Sequence, residues 1–304
     1  MKKQGTSERV TLSHPLTHPQ VICFGETLWD LLPSGKVAGG APMNVAFQLN
    51  QLGVPVGMVS RVGNDGLGAE LIDFLIEKNV PIGFVQRDAA QPTGIVKVEL
   101  DERGQPQYEI VEGVAWDFIE AEKQALEAVK NAGAFVFGSL VARGEKSHET
   151  LLEFIKNARF RVFDVNLRKP FFSQKLLDGL LGEAHFVKMN DEELDIISGW
   201  LNVGASNAEA KMIALKNAFE LDLLVVTRGE KGAISLDAAG FCSHDGVKVE
   251  VVDTIGSGDA FLAGYLHKFL QKKSPAECLD FGCQMGAFVA TQRGGTPQIS
   301  LERL

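Results

Sequence analysis

The sequence predicts an α/β protein: a mostly parallel central sheet with helices on both faces and a small β-sheet beside it. From Ile119 onward, apolar runs of strand length alternate with stretches of helical length. Such alternation builds parallel sheets covered on both sides. Ahead of that series, Thr93–Val111 alternates Lys and Glu with apolar residues around a turn at Asp101–Gly104, the pattern of a hairpin with one wet face. At 304 residues and 45% hydrophobic content, the chain has enough apolar material to bury a large core.

Taken in order, residues 1–19 form a polar tail, with two lysines but no apolar stretch that would make a secretory signal. His14 and His18 in the tail have no accompanying ligands that would suggest a metal site. Val21–Phe24 is a buried strand ended by Gly25. Ala41-Pro42-Met43-Asn44 opens a helix of about 11 residues, with Pro42 suited to its first turn and Gly53 to its stop. Val54–Val62 is a strand, and Gly63–Gly68 leads into the helix Ala69–Lys78. After the hairpin come helix 120–130, strand 134–137, helix 146–158, strand 161–165, helix 173–181 and strand 185–188. Helices 191–198 and 207–219 and strand 223–227 continue the series. Val247–Val252, with its Val/Lys/Glu alternation, is expected to be a strand feeding the next helix.

Charge narrows the partners. Thirty basic against thirty-nine acidic residues leave a net charge of −9, which argues against nucleic acid and anionic membrane. No apolar run reaches the roughly 20 residues of a membrane span. Cys23, Cys242, Cys278 and Cys283 lack Cys-x-x-Cys spacing and are expected as reduced thiols, in keeping with a cytoplasmic protein. The glycine cluster at 63–68 is not a dinucleotide fingerprint, and no Walker loop occurs anywhere.

The chemistry concentrates at Asp253-Thr254-Ile255-Gly256-Ser257-Gly258-Asp259, followed by an apolar run of helical length. Two glycines around a serine let successive N–H groups converge on one spot, at a helix N-terminus that favours an anion. Asp259 then stands in the first turn of an anion-binding helix. It either complements the helix dipole or serves as a general base beside a transferring phosphoryl group. Asp30, set among Leu28, Trp29, Leu31 and Leu32, is either part of a surface turn beside Pro33 or a carboxylate whose partners arrive with a ligand. The Gly39-Gly40 pair allows close backbone approach, and Asn44 offers both donor and acceptor. Asn190-Asp191-Glu192-Glu193 has the spacing of a capping box.

Asp-Thr-x-Gly-Ser-Gly-Asp-Ala-Phe resembles the C-terminal signature of the ribokinase-like sugar kinases, the phosphofructokinase-B type. Ser257 stands where that family more often has alanine. Gly-Gly-Ala-Pro-x-Asn-Val-Ala at 39–46 resembles the family's N-terminal signature in its fructokinase branch. Ala41 and Leu28 replace a lysine and an asparagine of ribokinases, which counts against ribose. The resemblance implies a ribokinase-like domain over residues 20–304, with lid segments at about 28–38 and 92–114. It implies ATP-dependent phosphorylation of a sugar, with fructose favoured and 2-keto-3-deoxygluconate or another sugar as the alternative. A catalytically silent sugar-binding protein on the same fold is disfavoured by the intact nest and Asp259. By the same resemblance Gly256, Ser257 and Gly258 form the anion hole and Asp259 is the base. Asp30, Gly39, Gly40, Asn44, Asn166 and Arg168 hold the sugar. Asn190, Thr227, Gly229, Gly232 and Gly286 border the nucleotide, and Glu193 positions Mg²⁺ through water. A monovalent cation, K⁺ in the family, sits near the residue matching Asp253. A homodimer is allowed and not required.

Overall fold

The computed structural model describes residues 19–32, 35–100, 106–201 and 207–299. Residues 1–18 of the expected tail, the hairpin turn, and Pro33 and Ser34 beside Asp30 lie outside the described residues. The main sheet has nine strands in the order β13-β12-β11-β10-β9-β8-β1-β4-β5. Within it β1 (Val21–Phe24) is flanked by β8 (Ala134–Gly138) and β4 (Val56–Gly63), with β5 (Phe84–Asp88) at one edge. On the other side run β9 (Arg161–Asp164), β10 (Phe186–Asn190) and β11 (Leu223–Thr227). These seven are parallel, whereas β12 (Ala233–Asp237) and β13 (Gly240–His244) are added antiparallel.

Alternate side chains of the central strands point to opposite faces, as the two-residue period requires. Ile22, Phe24, Phe135, Phe137, Phe163, Leu224 and Val226 fill one core. It is covered by α3 (Lys123–Asn131), α4 (Glu145–Asn157), α5 (Gln174–Gly182), α6 (Asp191–Trp200) and α7 (Ala208–Ala218). Val21, Cys23, Val136, Val162, Phe186 and Val225 fill the other. There the cover is α1 (Ala41–Gln51), α2 (Gly66–Glu77), α8 (Ser257–Leu270) and α9 (Pro275–Ala290). Burial on both faces explains why these strands read as continuous apolar runs rather than alternating ones.

A second sheet carries the order β3-β2-β6-β7, from β2 (Leu28–Leu32), β3 (Gly35–Gly39), β6 (Gly94–Leu100) and β7 (Pro106–Ile110). Its β2–β3 half is fastened to α2: Trp29 Nε1 donates to the Leu67 carbonyl at 3.0 Å, and Lys36 pairs with Glu70. The start of β6 is pinned by Asp65, which accepts from Thr93 N at 2.8 Å and Thr93 Oγ1 at 2.7 Å.

One expected strand is absent. Val247–Val252 pairs with no strand, and Val251 and Val252 are more than half exposed, at 59% and 58%. Its β-like alternation fails because the backbone finds a helix end instead: the N–H groups of Val252 and Asp253 both donate to the Ala290 carbonyl at the end of α9, at 2.8 and 3.2 Å. The segment is a strap laid over α9.

Candidate active site

The marked residues gather beyond the carboxyl ends of the parallel strands, where ligands of such sheets bind. Gly256 precedes α8 with φ 74°, a left-handed conformation that suits glycine, and a Cβ there would run into Gly295. The turn thereby presents the N–H groups of Gly258 and Asp259, which lack intrahelical partners, while Ser257 N donates to the Thr254 carbonyl at 3.2 Å. Asp259 sits in that first turn and is buried.

From the other half of the chain comes α1, entered through Gly40 at φ 120° with no side-chain cap of its own. Its first turn carries Asn44, whose Nδ2 donates to Asp259 Oδ2 at 2.8 Å. The loop after α9 wedges between them: a Cβ on Gly295 would lie 2.7 Å from Asn44 Nδ2, and the Gly295 carbonyl accepts from Gln48 Nε2 at 3.1 Å. Asp253 staples this arrangement, with Oδ1 accepting from Ile255 N and Oδ2 from Gly294 N, both at 3.0 Å.

Beneath the nest lies a buried cluster. Parallel pairing sets Lys188 of β10 beside Asp164 of β9, and their side chains meet at 3.0 Å, both almost fully buried. A Cβ on Gly258 would be 3.0 Å from Lys188 Nζ, so the ammonium lies against the nest. Burial works to lower the Lys188 pKa, but Asp164, Glu193 and Asp259 outweigh it and the net shift is upward. Asp259 is pushed up to about 6, chiefly by burial and then by Asp164, with Lys188, Asn44 and Arg168 opposing. Glu193 and Asn190 form the capping box of α6: Glu193 N donates to Asn190 Oδ1 and Asn190 N to Glu193 Oε2, each at 2.8 Å. Glu193 Oε1 also accepts from Leu167 N at 2.8 Å, which ties the Asn166–Arg168 loop to α6.

The small sheet closes the other side. Asp30 projects from β2 over the double glycine, where a Cβ on Gly39 would approach its Oδ2 to 2.6 Å. Burial raises Asp30 to about 6, against the positive charge of Arg168. Arg168 itself is exposed, and its guanidinium acts at once on Asp30, Glu26 and Asp259. Thr227, Gly229 and Gly232 line a cleft of about 1000 Å³ together with Ser257, Gly258 and Gly286. Asn190 is not among its lining residues.

Three site groups were not singled out from the sequence. Glu26 lies under the double glycine: its Oε1 accepts from Ala41 N at 3.3 Å, while Oε2 is buried without a partner. Burial raises its pKa to about 7, with Arg168 opposing. Asp164 and Lys188 are the others. Opposite charges at matching positions of consecutive parallel strands are the signal that would have found them.

Comparison with known proteins places the chain in a family. The pfkB family carbohydrate kinase description matches residues 20–301. A fructokinase of Klebsiella pneumoniae is 35% identical over 81% of this chain and 83% of its own length. The crystal structure of fructokinase with bound ATP from Xylella fastidiosa superposes with a TM-score of 0.80 at 25% identity, covering 91% of this chain and 93% of that one. A Vibrio cholerae fructokinase double mutant, in its fructose, ADP and potassium ion bound form, gives 0.78 at 26% identity, over 92% and 94% of the two chains. With both signatures converging on one site inside a ribokinase-like fold, the chain belongs to the pfkB family of carbohydrate kinases.

Proposed function

We propose that this chain transfers the terminal phosphoryl group of ATP to fructose, forming fructose 6-phosphate and ADP. The observation that carries the reading is Asp259, buried against the Gly256–Gly258 turn and held through Oδ2 by Asn44. In the reaction the 6-hydroxyl oxygen bonds to the terminal phosphorus, and the bond from that phosphorus to the oxygen bridging to the β-phosphate breaks. The hydroxyl proton goes to the Asp259 carboxylate, and ADP leaves. The N–H groups at the start of α8, with Lys188 beside them, stabilise charge on the group in transit.

Asp30, Asn44, the Gly39–Gly40 turn, Asn166 and Arg168 hold the sugar. The carboxyl groups of Glu26, Asp30 and Asp259 outnumber the single Arg168, so a neutral sugar suits the pocket better than a sugar acid. Thr227, Gly229, Gly232 and Gly286 border the nucleotide. Asn190 acts by fixing Glu193.

Among the described residues no group of three acidic, histidine or cysteine side chains could grip a metal directly. A hydrated Mg²⁺ fits nonetheless: Glu193 lies near the nest and Asp164 Oδ2 is buried without a partner. Mg²⁺ would neutralise phosphate charge, with Glu193 reaching it through water. For a monovalent cation, Asp253 already spends one bond on each oxygen, leaving its remaining lone pairs and nearby carbonyls. A homodimer is compatible with this mechanism. Free thiols at all four cysteines agree with action in the cytoplasm, and no described helix is long and apolar enough to cross a membrane.

A panel of sugars with ATP and Mg²⁺, read by ADP release, tests the reading. Fructose should be the preferred acceptor. Asp259→Asn should keep fructose and ATP binding while turnover falls by roughly 10²–10⁴-fold. Near-normal turnover in a folded, Mg²⁺-replete variant would overturn the assignment of the base.

A further inference from the structure

A buried ionic cluster outside the site is built on Arg143, in the short 3-10 helix Leu140–Arg143 that follows β8. The side chains of Arg143 and Asp117 are 5% and 7% exposed, a depth at which an ion pair must be well bonded to be tolerated. It is: Arg143 Nε reaches Asp117 Oδ1 at 2.8 Å and Nη2 reaches Oδ2 at 3.0 Å. Nη2 also donates to the Val111 carbonyl, and Asp117 Oδ2 accepts from Gly113 N at 2.9 Å and Val114 N at 3.2 Å. Val111, Gly113 and Val114, in the exit of β7 from the lid, are thereby fastened to the Arg143–Asp117 pair.

That guanidinium is also sandwiched. Its carbon lies 3.9 Å from the ring centroid of Trp116 and 4.7 Å from that of Phe171. Trp116 touches the lid's other root, because its indole nitrogen fills the space where a side chain on Gly94, the first residue of β6, would stand. Phe171 belongs to the Arg168 loop, and its N–H donates to the Arg168 carbonyl at 2.8 Å. Both lid roots and the Arg168 turn therefore meet on Arg143. A pair serving stability alone needs no such junction, since apolar residues of similar volume commonly hold a core as well.

We propose that Arg143 is a positioning residue for phosphoryl transfer: it joins the lid roots to the Arg168 loop, so that closing over the sugar and placing Arg168 are one event. The coupling rests on the sugar-kinase reading above. Arg143 does not touch the reacting atoms. It acts through Phe171 and Val111, and lysine cannot replace it, because an ammonium offers neither a planar face nor a fork.

The test uses the full chain with ATP, Mg²⁺ and fructose. Arg143→Lys should raise the fructose KM by about tenfold or more while the ATP KM stays within about twofold. In the unaltered protein, fructose should slow hydrogen exchange in residues 109–114 and 166–172 together, and in Arg143→Lys it should slow only the first. Phe171→Leu should reproduce the fructose effect, and the double variant should be no worse than the stronger single, as for residues acting in one chain. A folded Arg143→Lys with fructose KM and kcat within about twofold of the unaltered protein would overturn the proposal, as would additive single effects. Should Arg143→Lys fail to fold, the kinetics and exchange of Phe171→Leu decide the matter alone. If the unaltered protein phosphorylates no sugar, the sugar-kinase reading itself falls; if it phosphorylates fructose and the variants match it, only the coupling falls.

Discussion

Replacing Glu26 by glutamine should cost stability in acid and shift the balance in the variant's favour as pH rises above neutral. Burial lifts this carboxyl from the ordinary 4.5 to about 7, so the folded state favours its neutral form. The sign follows from linkage. A folded-state pKa above the unfolded one gives stability that is complete below about 4.5 and is lost as pH rises through about 7. Each tenfold difference in proton affinity is worth about 1.4 kcal/mol, so the loss at pH 8 is on the order of 3 kcal/mol. Glutamine keeps an acceptor for Ala41 N–H but brings an NH₂ group to the place where Oε2 has no partner. An unmet buried donor costs about 1–3 kcal/mol, which leaves a net gain of roughly 0–2 kcal/mol at pH 8 and a loss of similar size in acid. The decisive quantity is the change between the two, about 3 kcal/mol in favour of the variant from pH 4.5 to pH 8. Urea unfolding of both proteins across that range measures it. Asp30 and Asp259 titrate in both proteins and drop out of the difference. A stability difference that does not change with pH would refute the buried, proton-holding Glu26.

Asp30→Ala should weaken fructose binding by about 1.5–3 kcal/mol, the worth of hydrogen bonds to a charged group, with ATP affinity unmoved in calorimetric titration. An unchanged fructose affinity with an earlier melt would make Asp30 a structural residue of β2. Lys188→Met should lower kcat by roughly 10²–10³-fold, as loss of a preorganised electrostatic group does, and should destabilise by leaving Asp164 unpaired. Adding Asp164→Asn should restore the melting temperature and not the turnover, and recovery of both would reduce Lys188 to a structural role. With Asp259 at about 6, kcat/KM should climb as pH rises through that value and then level off. The rise should persist in Asp30→Asn, and its disappearance there would assign it to Asp30.

Much of the site was legible because its parts are local. The Gly256–Asp259 nest, the Gly39–Asn44 entry to α1 and the Asn190–Glu193 capping box are each fixed by neighbours a few residues away, where turn and cap chemistry speaks directly. Parallel strands were legible from their apolar runs. What was not legible depends on distant partners. Lys188 resembles a solvated charge at a strand end until register sets it beside Asp164. Glu26 resembles an ordinary turn acid until α1 folds back upon it from 15 residues away. Val247–Val252 carries the strand period, but its N–H groups at the exit meet a helix carbonyl, a choice that tertiary placement makes and alternation does not.

The contact between Asn44 and Asp259 spans 215 positions of the chain. At a ribosomal pace of roughly 5–20 residues per second, Asn44 waits on the order of 10–40 s before its partner is made. Throughout that interval α1 and the adjoining face of β1 lack the cover that α8 and α9 give them in the finished core. A half-synthesised chain therefore displays an apolar face together with an unfinished sheet edge, the surfaces that draw chaperones and invite aggregation. Conditions that slow translation between α1 and α8 should lower the yield of active enzyme without touching a single residue of the site.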